Sequence, residues 1–189
     1  MKKITTLFKK DPNDLSRVIN ELNPGNEWVG TEDSIATRKF DGTSCAIIDG
    51  KFYKRYDVKK GRSVPDGAIP CQEPDEITGH WPHWVEVDEN KPENKWFIDG
   101  YETSILMNYE TPLPDGTYEL CGPEFNGNKE GFGGNHLIPH GKEILDIDSV
   151  NFYFLRGYLK AKNIEGIVFH NIKDGRMCKI RKTDFGIKR

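Results

Sequence analysis

The chain has 189 residues, and its 27 Lys and Arg against 30 Asp and Glu give a net charge of −3 at pH 7. This balance excludes a basic coat over the whole surface, so any site for a polyanion must be a local cluster of Lys and Arg. No apolar run approaches the ~20 residues that cross a bilayer, and residues 1–10 lack the apolar stretch of a signal peptide. The length predicts a single domain over residues 1–189.

The first thirty residues predict a short strand over residues 4–9 followed by a helix. Asp11 is a suitable N-cap, with Pro12 at the first helical position. Apolar residues at helical spacing would share one face: Leu15, Val18, Ile19 and Leu22. We expect this helix to end near residues 23–25 and residues 1–30 to form a short extension packed on the domain.

Strand patterns dominate from residue 35 onward. Residues 44–48 and 51–55 predict a hairpin around an Asp49-Gly50 turn. Asp115-Gly116 precedes a predicted strand over residues 117–120, and Asp174-Gly175 leads into another over 177–181. Residues 150–155 and 166–170 also predict strands.

Residues 61–93 are rich in Pro, Gly and acids and predict a long ordered loop, because Trp81 and Trp84 would rarely be left in solvent. Residues 101–109 predict a helix. The sequence therefore indicates an α+β fold built on antiparallel sheets that are flanked by a few helices.

The four cysteines, Cys45, Cys71, Cys121 and Cys178, form no CxxC pair. Neither a zinc ribbon nor a dithiol motif is predicted. Scattered thiols fit a reducing compartment better than a disulfide framework, so we expect a cytoplasmic protein.

The segment Lys39-Phe40-Asp41-Gly42-Thr43 is the first candidate for chemistry. By itself it also fits a solvated lysine before a turn. The functional alternative is a lysine at a strand end, with Gly42 allowing a backbone conformation that other residues resist.

Three further signals follow. Glu119 lies in an otherwise apolar and aromatic strand, where a buried carboxylate needs partners, although an edge strand facing water would also accept it. Glu165 precedes Gly166 and an apolar strand, as either a turn residue or a metal ligand. Lys179 and Arg181 share one strand face, either as solvated edge residues or as a phosphate site.

Two groups of histidines could suggest a metal site, but we favour structural or substrate-contact roles. His80 and His83 flank Trp81-Pro82, and His136 and His140 bracket a predicted strand. Pro82 and Pro139 argue against a helical HxxxH site. A basic patch of Lys59, Lys60 and Arg62 is either a solvated loop or a contact for a nucleic acid backbone.

The order of these signals carries a family resemblance. Lys-x-Asp-Gly is followed by a basic strand, a strand Glu, an aromatic segment, Glu-Gly and a Lys-x-Arg strand. This order resembles the covalent nucleotidyltransferase superfamily of DNA ligases, RNA ligases and mRNA capping enzymes. Further segments look like the 5′-to-3′ RNA ligase family that includes a vertebrate member: Tyr53-Lys54-Arg55, Cys71-Gln72-Glu73-Pro74-Asp75, Ile77-Thr78-Gly79-His80-Trp81-Pro82, Glu119-Leu120-Cys121-Gly122-Pro123, Phe125-Asn126-Gly127-Asn128, His136-Leu137-Ile138-Pro139-His140-Gly141 and Glu165-Gly166-Ile167-Val168-Phe169-His170.

The resemblance implies a nucleotidyltransferase fold, the ATP-grasp-like adenylation domain of ligases, without an OB-fold. It implies that Lys39 attacks the α-phosphorus of ATP and that nearby cations help its amine to lose a proton. AMP then passes to an RNA 5′-phosphate, and a 3′-hydroxyl completes the join. RNA with these two ends is the expected partner, with no membrane and no obligate protein partner.

Matched by position, Glu119 corresponds to the residue that holds a ribose hydroxyl and Arg55 to the basic residue near the sugar or the incoming 5′-phosphate. Phe154 corresponds to the ring that stacks on adenine, with Phe152 as the alternative on the same predicted strand face. Lys179 and Arg181 contact phosphate. The metal-binding acid is Glu165, with Mg²⁺ as the expected ion and Mn²⁺ as an alternative.

Some positions depart from the superfamily pattern. No Arg follows the Lys-x-Asp-Gly motif closely, and Arg38 stands where several RNA ligases have a Glu that reads adenine. We expect no OB-fold after the Lys-x-Arg strand, which would disfavour a capping enzyme. The alternatives are a DNA nick ligase, a capping-type guanylyltransferase and a catalytically silent nucleotide- or RNA-binding module.

Overall fold

The computed structural model describes residues 4–76, 79–108 and 113–189. The strands are β1 (Thr5–Thr6), β2 (Phe8–Asp11), β3 (Asp14–Leu22), β4 (Ser34–Lys39), β5 (Thr43–Ile48), β6 (Lys51–Val58), β7 (Ile69–Pro70), β8 (Trp81–Glu86), β9 (Gly116–Cys121), β10 (His136–Pro139), β11 (Gly166–Asn171) and β12 (Met177–Arg181). The helices are α1 (Lys95–Asn108) and α2 (Phe152–Ala161), and single 3₁₀ turns occupy Pro92–Asn94 and Thr183–Phe185. The predicted α+β composition, with mostly antiparallel sheets and few helices, is confirmed.

The chain divides into two compact units. We call residues 41–140 the six-stranded unit, and residues 4–40 with 141–189 the four-stranded unit, after their main sheets. The prediction of one domain over residues 1–189, with residues 1–30 as an extension, stays a prediction. Within the described ranges, no helix has both the length and the apolar character that spanning a membrane requires.

The four-stranded unit is built on a sheet of order β1-β12-β11-β4, in which β1 and β12 are parallel and the other pairs antiparallel. One face of this sheet and the apolar side of α2 form the core. Its buried members include Ala36, Leu155, Leu159, Ile167, Phe169, Cys178 and Ile180. Because side chains alternate along a strand, the residues between these core positions point to the opposite face.

The six-stranded unit is an antiparallel sheet of order β10-β9-β5-β6-β8-β7. One face carries the core, which includes Cys45, Ile47, Phe52, Tyr118, Leu120 and Leu137, with apolar residues of α1 packed against it. Ala46, Tyr53 and Trp84 form a smaller cluster. The predicted β5–β6 hairpin is confirmed, and Asp49 and Gly50 have the positive φ angles, 51° and 73°, of a type I′ turn.

The predicted helix after Asp11 is wrong, because residues 14–22 form β3 and pair with β2. The carboxylate of Asp11 accepts the backbone N–H of Asn13 at 2.8 Å, and Asp14 accepts that of Ser16 at 3.0 Å. These side chains close turns instead of capping a helix. Of the apolar residues that suggested a helical face, Leu15 is 71% exposed, so the spacing does not reflect burial.

The predicted strand over residues 150–155 is also wrong, because α2 begins at Phe152. The side chain of Asn151 accepts the backbone N–H of Tyr153 at 2.9 Å and caps the helix. Leu155 and Leu159, four residues apart, are both fully buried. The aromatic residues favoured a strand by propensity, but the cap and the i, i+4 burial decide for a helix.

Two other boundaries differ from the prediction. The predicted loop over residues 61–93 contains β7 and β8, and β8 pairs with β6 along its whole length. Trp84 is 5% exposed, as expected for an ordered segment. The helix predicted over residues 101–109 begins earlier, at Lys95, and Tyr109 lies outside the described residues. The strands predicted over 117–120, 166–170 and 177–181 are confirmed.

Candidate functional site

A row of residues crosses the polar face of the four-stranded unit. Lys39 at the end of β4 is in register with Gly166 on β11, and Gly166 is in register with Arg181 on β12. A Cβ atom on Gly166 would collide with the carbonyl oxygen of Ile180 and lie 2.9 Å from Cα of Arg181. The glycine is therefore required by close packing, and no side chain separates the two cations.

Glu165 holds the amine of Lys39. Nζ of Lys39 donates to Oε2 of Glu165 at 2.5 Å and to the carbonyl oxygen of Phe40 at 3.3 Å. The side chains of Lys39 and Glu165 are only 23% and 18% exposed. The alternative of a solvated lysine before a turn is excluded.

Lys179 lies on the same face, two residues before Arg181. Burial, together with the positive charges of Arg181 and Lys39, lowers its pKa to about 8, against the opposing effects of Glu165 and Asp184. Lys179 is in register with Thr6 of β1 on one side and with Val168 of β11 on the other, so the solvated-edge alternative is excluded for this lysine. A face on which a partly buried lysine loses its proton more easily because two other cations lie near it is suited to an anion.

The sequence did not reveal the residue that orients Arg181. Asp184 is fully buried and accepts hydrogen bonds from Nη2 and the backbone N–H of Arg181, both at 2.9 Å, and from Nζ of Lys10 at 2.7 Å. Although burial favours its neutral form, the bonds from Arg181 and Lys10 hold the pKa of Asp184 below its ordinary value. An acid three residues after Arg181 was a signal, whereas Lys10 is 174 residues distant.

Glu119 is the corresponding buried carboxylate of the six-stranded unit. It is 7% exposed and lies on β9, an inner strand between β10 and β5, so it does not face water from an edge. Its Oε1 accepts the backbone N–H of Gly42 at 3.1 Å. Its Oε2 accepts the hydroxyl of Ser44 at 3.3 Å and lies 2.9 Å from Nε2 of His140.

Arg55 lies on the same face of that sheet. Glu119 is in register with Ser44, and Cys45 with Lys54, so the continued antiparallel register places Ser44 opposite Arg55. Arg55 donates from Nε to Asp57 at 3.1 Å, and its side chain is 22% exposed. The structure thus brings Glu119 and Arg55 to one face, two strands apart.

A loop after β9, which we call the clasp loop (residues 126–130), fixes Asp41 and Gly42. Nδ2 of Asn126 donates to Oδ1 of Asp41 at 3.0 Å and to the carbonyl oxygen of Gly42 at 2.7 Å. Nζ of Lys129 lies 3.1 Å from Oδ2 of Asp41, whose backbone N–H donates to Glu130 at 2.7 Å. The sequence marked Phe125-Asn126-Gly127-Asn128 only as a resembling segment and gave this loop no role, because its residues have no chemistry of their own until they meet Asp41.

Gly42 is needed for a different reason from the one predicted. A Cβ atom there would collide with the carbonyl oxygen of Leu120 and lie 2.6 Å from Sγ of Cys121. Gly42 is not among the residues with positive φ. Close approach of a neighbouring strand, and not an unusual backbone conformation, selects glycine.

Phe152 and Phe154 lie on α2 and not on a strand, so the argument that they share a strand face is wrong. The ring of Phe152 packs edge-on against Phe8 and Phe185, with centroids 5.1 and 5.0 Å apart. Phe154 is partly buried against the same core and stacks near Tyr158 at 6.4 Å. Adenine stacking by Phe154 stays a prediction.

The part of the chain that the structure describes contains no group of three or more His, Cys, Asp or Glu residues that could hold a metal ion. The assignment of Glu165 as a metal ligand stays a prediction. Mg²⁺ in phosphate sites commonly uses one or two carboxylates and completes its coordination with phosphate oxygens and water, so a single Glu is compatible with it.

No family model matches the chain. A curated protein from Pongo abelii named RNA ligase 1 is 29% identical to it over an alignment of 221 positions, which covers 82% of this chain and 68% of that protein. The chain is a distant relative of an RNA ligase. This relationship agrees with the resemblance that the order of motifs indicated, and it covers most of both units.

Proposed function

We propose that this chain is an ATP-dependent RNA ligase that joins a 5′-phosphate to a 3′-hydroxyl through AMP bonded to Lys39. Two independent observations support the proposal. One is the relationship to an RNA ligase over 82% of the chain. The other is the position of Lys39, whose amine lies 2.5 Å from Glu165 on the face that carries Lys179 and Arg181.

The position of Lys39 is the observation that carries the proposal. A nucleophilic lysine must be held in place and must lose its proton, which nearby cations favour. Glu165 orients the amine, while Arg181 stands across Gly166 in the same register row. A lysine with a purely structural role has no need of two more cations on its face.

The first step is transfer of AMP to the protein. A bond forms between Nζ of Lys39 and the α-phosphorus of ATP, the bond to the bridging oxygen breaks, and pyrophosphate leaves. The amine proton passes to the Glu165 carboxylate or to solvent. Lys179 and Arg181 offset the negative charge that develops on the phosphoryl oxygens.

Mg²⁺ is the divalent ion that this chemistry requires, with Mn²⁺ as an alternative. Glu165 would be its protein ligand, together with phosphate oxygens of the nucleotide, because carboxylate and phosphate oxygens suit a hard cation. Such an ion supplies charge neutralisation at the phosphates.

The remaining steps act on RNA. An oxygen of the RNA 5′-phosphate bonds to the phosphorus of the AMP, the phosphoramidate bond to Lys39 breaks, and the amine takes up a proton. The 3′-hydroxyl then loses its proton, attacks the phosphorus of the 5′-phosphate and releases AMP. In this proposal the fold is a nucleotidyltransferase domain, Glu119 holds a ribose hydroxyl, and Arg55 lies near the sugar or the 5′-phosphate. Phe154 stacks on adenine.

Intact mass after incubation with ATP and Mg²⁺ tests the first step. We expect a species heavier by one AMP, absent in Lys39→Ala and in Lys39→Arg. Lys51→Ala is the matched control, because Lys51 is also a strand lysine paired with a glutamate, Glu86, at 3.1 Å. An adduct that survives Lys39→Ala would refute the assignment.

Sealing assays test the substrate. The wild-type protein should join RNA ends that carry a 5′-phosphate and a 3′-hydroxyl, with an AMP-capped RNA as the intermediate. Matched DNA ends, and GTP in place of ATP, separate the alternatives of a DNA nick ligase and a capping-type guanylyltransferase. An adduct formed only from GTP would favour the latter.

A further inference from the structure

His140, the residue after β10, contacts the buried carboxylate of Glu119. Its Nε2 lies 2.9 Å from Oε2 of Glu119, and the side chain of Glu119 is only 10% exposed. The sequence marked His140 for a structural or substrate-contact role without naming its partner. The structure identifies this partner as Glu119.

Thr117 fixes the opposite side of the imidazole. Nδ1 of His140 lies 3.0 Å from the hydroxyl of Thr117, and the backbone N–H of His140 donates to the carbonyl oxygen of Thr117 at 3.0 Å. Thr117 and Glu119 are two residues apart on β9 and therefore share a face. Donation from Nε2 to the carboxylate leaves Nδ1 of a neutral ring to accept from the Thr117 hydroxyl.

Glu119 has acceptor capacity left after these contacts. Gly42 donates to Oε1, while Ser44 and His140 reach Oε2, which makes three donors. An ionised carboxylate offers about four acceptor positions. A further donor, such as a hydroxyl group, can therefore bind to Glu119 without displacing any of the three.

His140 fixes the orientation of the Glu119 carboxylate and therefore the direction of its remaining acceptor position. Of the two side chains that contact Oε2 of Glu119, His140 is the closer, at 2.9 Å against 3.3 Å for Ser44. Without it, Oε2 keeps only the weaker contact and the carboxylate can rotate. A buried carboxylate with too few donors also costs free energy, so the group would turn toward water or another partner.

We propose that His140 is a positioning residue that sets the sugar selectivity of the nucleotide site, by holding Glu119 in the orientation that accepts a ribose hydroxyl. The proposal rests on the proposed function, in which Glu119 binds that hydroxyl. A site built to bond a hydroxyl rejects the analogue that lacks it, because its buried polar group is then left without a partner. The hydrogen-bonded series Thr117–His140–Glu119 holds the acceptor in place and so strengthens the discrimination against a nucleotide that lacks the hydroxyl.

The test compares ATP with 2′-deoxy-ATP and 3′-deoxy-ATP as donors for the adduct on Lys39. We expect His140→Ala to raise the KM for ATP about tenfold with a much smaller change in kcat, the pattern of lost binding that is common to ground and transition states. The preference for ATP over at least one deoxy analogue should fall about tenfold, because the hydroxyl no longer meets a fixed acceptor.

Two variants separate positioning from folding. His140→Gln places an amide donor near Oε2 and should restore most of the sugar preference. His136→Ala is the matched control, because His136 begins the same strand and its ring packs on Phe132 at 5.4 Å. Melting temperatures are measured for each variant. An unchanged ATP preference in His140→Ala, or the same loss in His136→Ala, overturns the proposal.

Equilibrium binding of nucleotides tests the role of His140 separately from the proposed ligase activity. If the wild-type protein forms no adduct, the ligase assignment fails, and the three nucleotides are then compared by calorimetry in Lys39→Ala with and without His140→Ala. A sugar preference that falls on loss of His140 supports the positioning role by itself. No preference in Lys39→Ala, or one that His140→Ala leaves unchanged, overturns it.

Discussion

Lys179 titrates closer to neutral pH than an ordinary lysine. Burial and the neighbouring cations Arg181 and Lys39 lower its pKa from 10.5 to about 8 in the folded protein. Below pH 8 both the folded and the unfolded chain carry this proton, and the full cost of the buried charge is present. Between pH 8 and 10.5 the unfolded chain binds more protons, so the free energy of unfolding rises with pH.

We predict that this rise is smaller in Lys179→Met. Urea unfolding at pH about 7 and about 9.5 measures it, as the change in the free energy of unfolding between the two conditions. The stability of the variant relative to wild type should be greater at pH about 7 than at pH about 9.5, because wild type bears the cost of the buried charge at the lower pH. Equal pH dependence in the two proteins would show that another group titrates instead.

Asp184 is the buried carboxylate that pairs with both Lys10 and Arg181. We predict that Asp184→Asn destabilises the protein by about 3 kcal/mol, at the lower end of the range for breaking a buried pair, because Lys10 and Arg181 are each about a third exposed. Thermal or urea unfolding checks this. Asp174→Asn is the control: Asp174 pairs with Arg176 at 2.9 Å on the surface and should change stability little. Equal losses in both variants would contradict the argument.

At the scale of elements, the spacing and composition of the sequence led to the wrong prediction in two places. Residues 14–22 have helical spacing but form β3, because they pair with β2 across a turn that the Asp11 side chain closes. Residues 152–161 have the aromatic content of a strand but form α2, which Asn151 caps. Both elements are decided by near neighbours, a turn at residues 12–13 and a cap at Asn151, which the apolar spacing and the aromatic content of the sequence did not report.

The clasp loop is the element that a nucleotidyl-transfer assay can test. We predict that Asn126→Gly lowers the rate of Lys39 adduct formation about tenfold, which corresponds to about 1.4 kcal/mol in the barrier. Glycine preserves the positive φ of 48° at this position and removes the two hydrogen bonds to Asp41 and Gly42.

Asn128→Gly is the matched control for the clasp loop. Asn128 also has a positive φ, 50°, but its side chain bonds to the backbone of Phe132, just after the clasp loop, and not to Asp41 or Gly42. The Asn128→Gly variant should form the proposed Lys39 adduct at a rate close to that of wild type. An equal loss in both variants would assign the effect to loop folding and not to the contacts with Asp41 and Gly42.

At the scale of the whole molecule, the net charge of −3 means that the proposed RNA substrate would have to meet local clusters of cations. The exposed Lys59, Lys60 and Arg62 follow β6 and form such a patch. We predict that replacing all three with Gln weakens RNA binding and makes the slope of log K against log salt shallower by about 1 to 3, because fewer phosphates are neutralised.

The control for this patch is a second set of three exposed cations on or next to α2: Arg156, Lys160 and Lys162. Replacing them with Gln changes the net charge by the same amount. Filter binding at several salt concentrations measures both slopes. Equal slopes for the two triple variants would show that overall charge, and not the patch after β6, governs RNA binding.

The sequence by itself determined the order of the candidate site residues, the turns that flank β5, β6 and β12, and the mixed fold with antiparallel sheets. These follow from local chemistry, because Asp-Gly turns and strand alternation need only near neighbours. Only the tertiary structure decided which side chains meet: Lys39 with Glu165, Asp184 with Lys10 and Arg181, and Glu119 with His140. These partners lie up to 174 residues apart along the chain, and the pairing of strands from distant parts of the chain, which local sequence patterns do not report, brings them together.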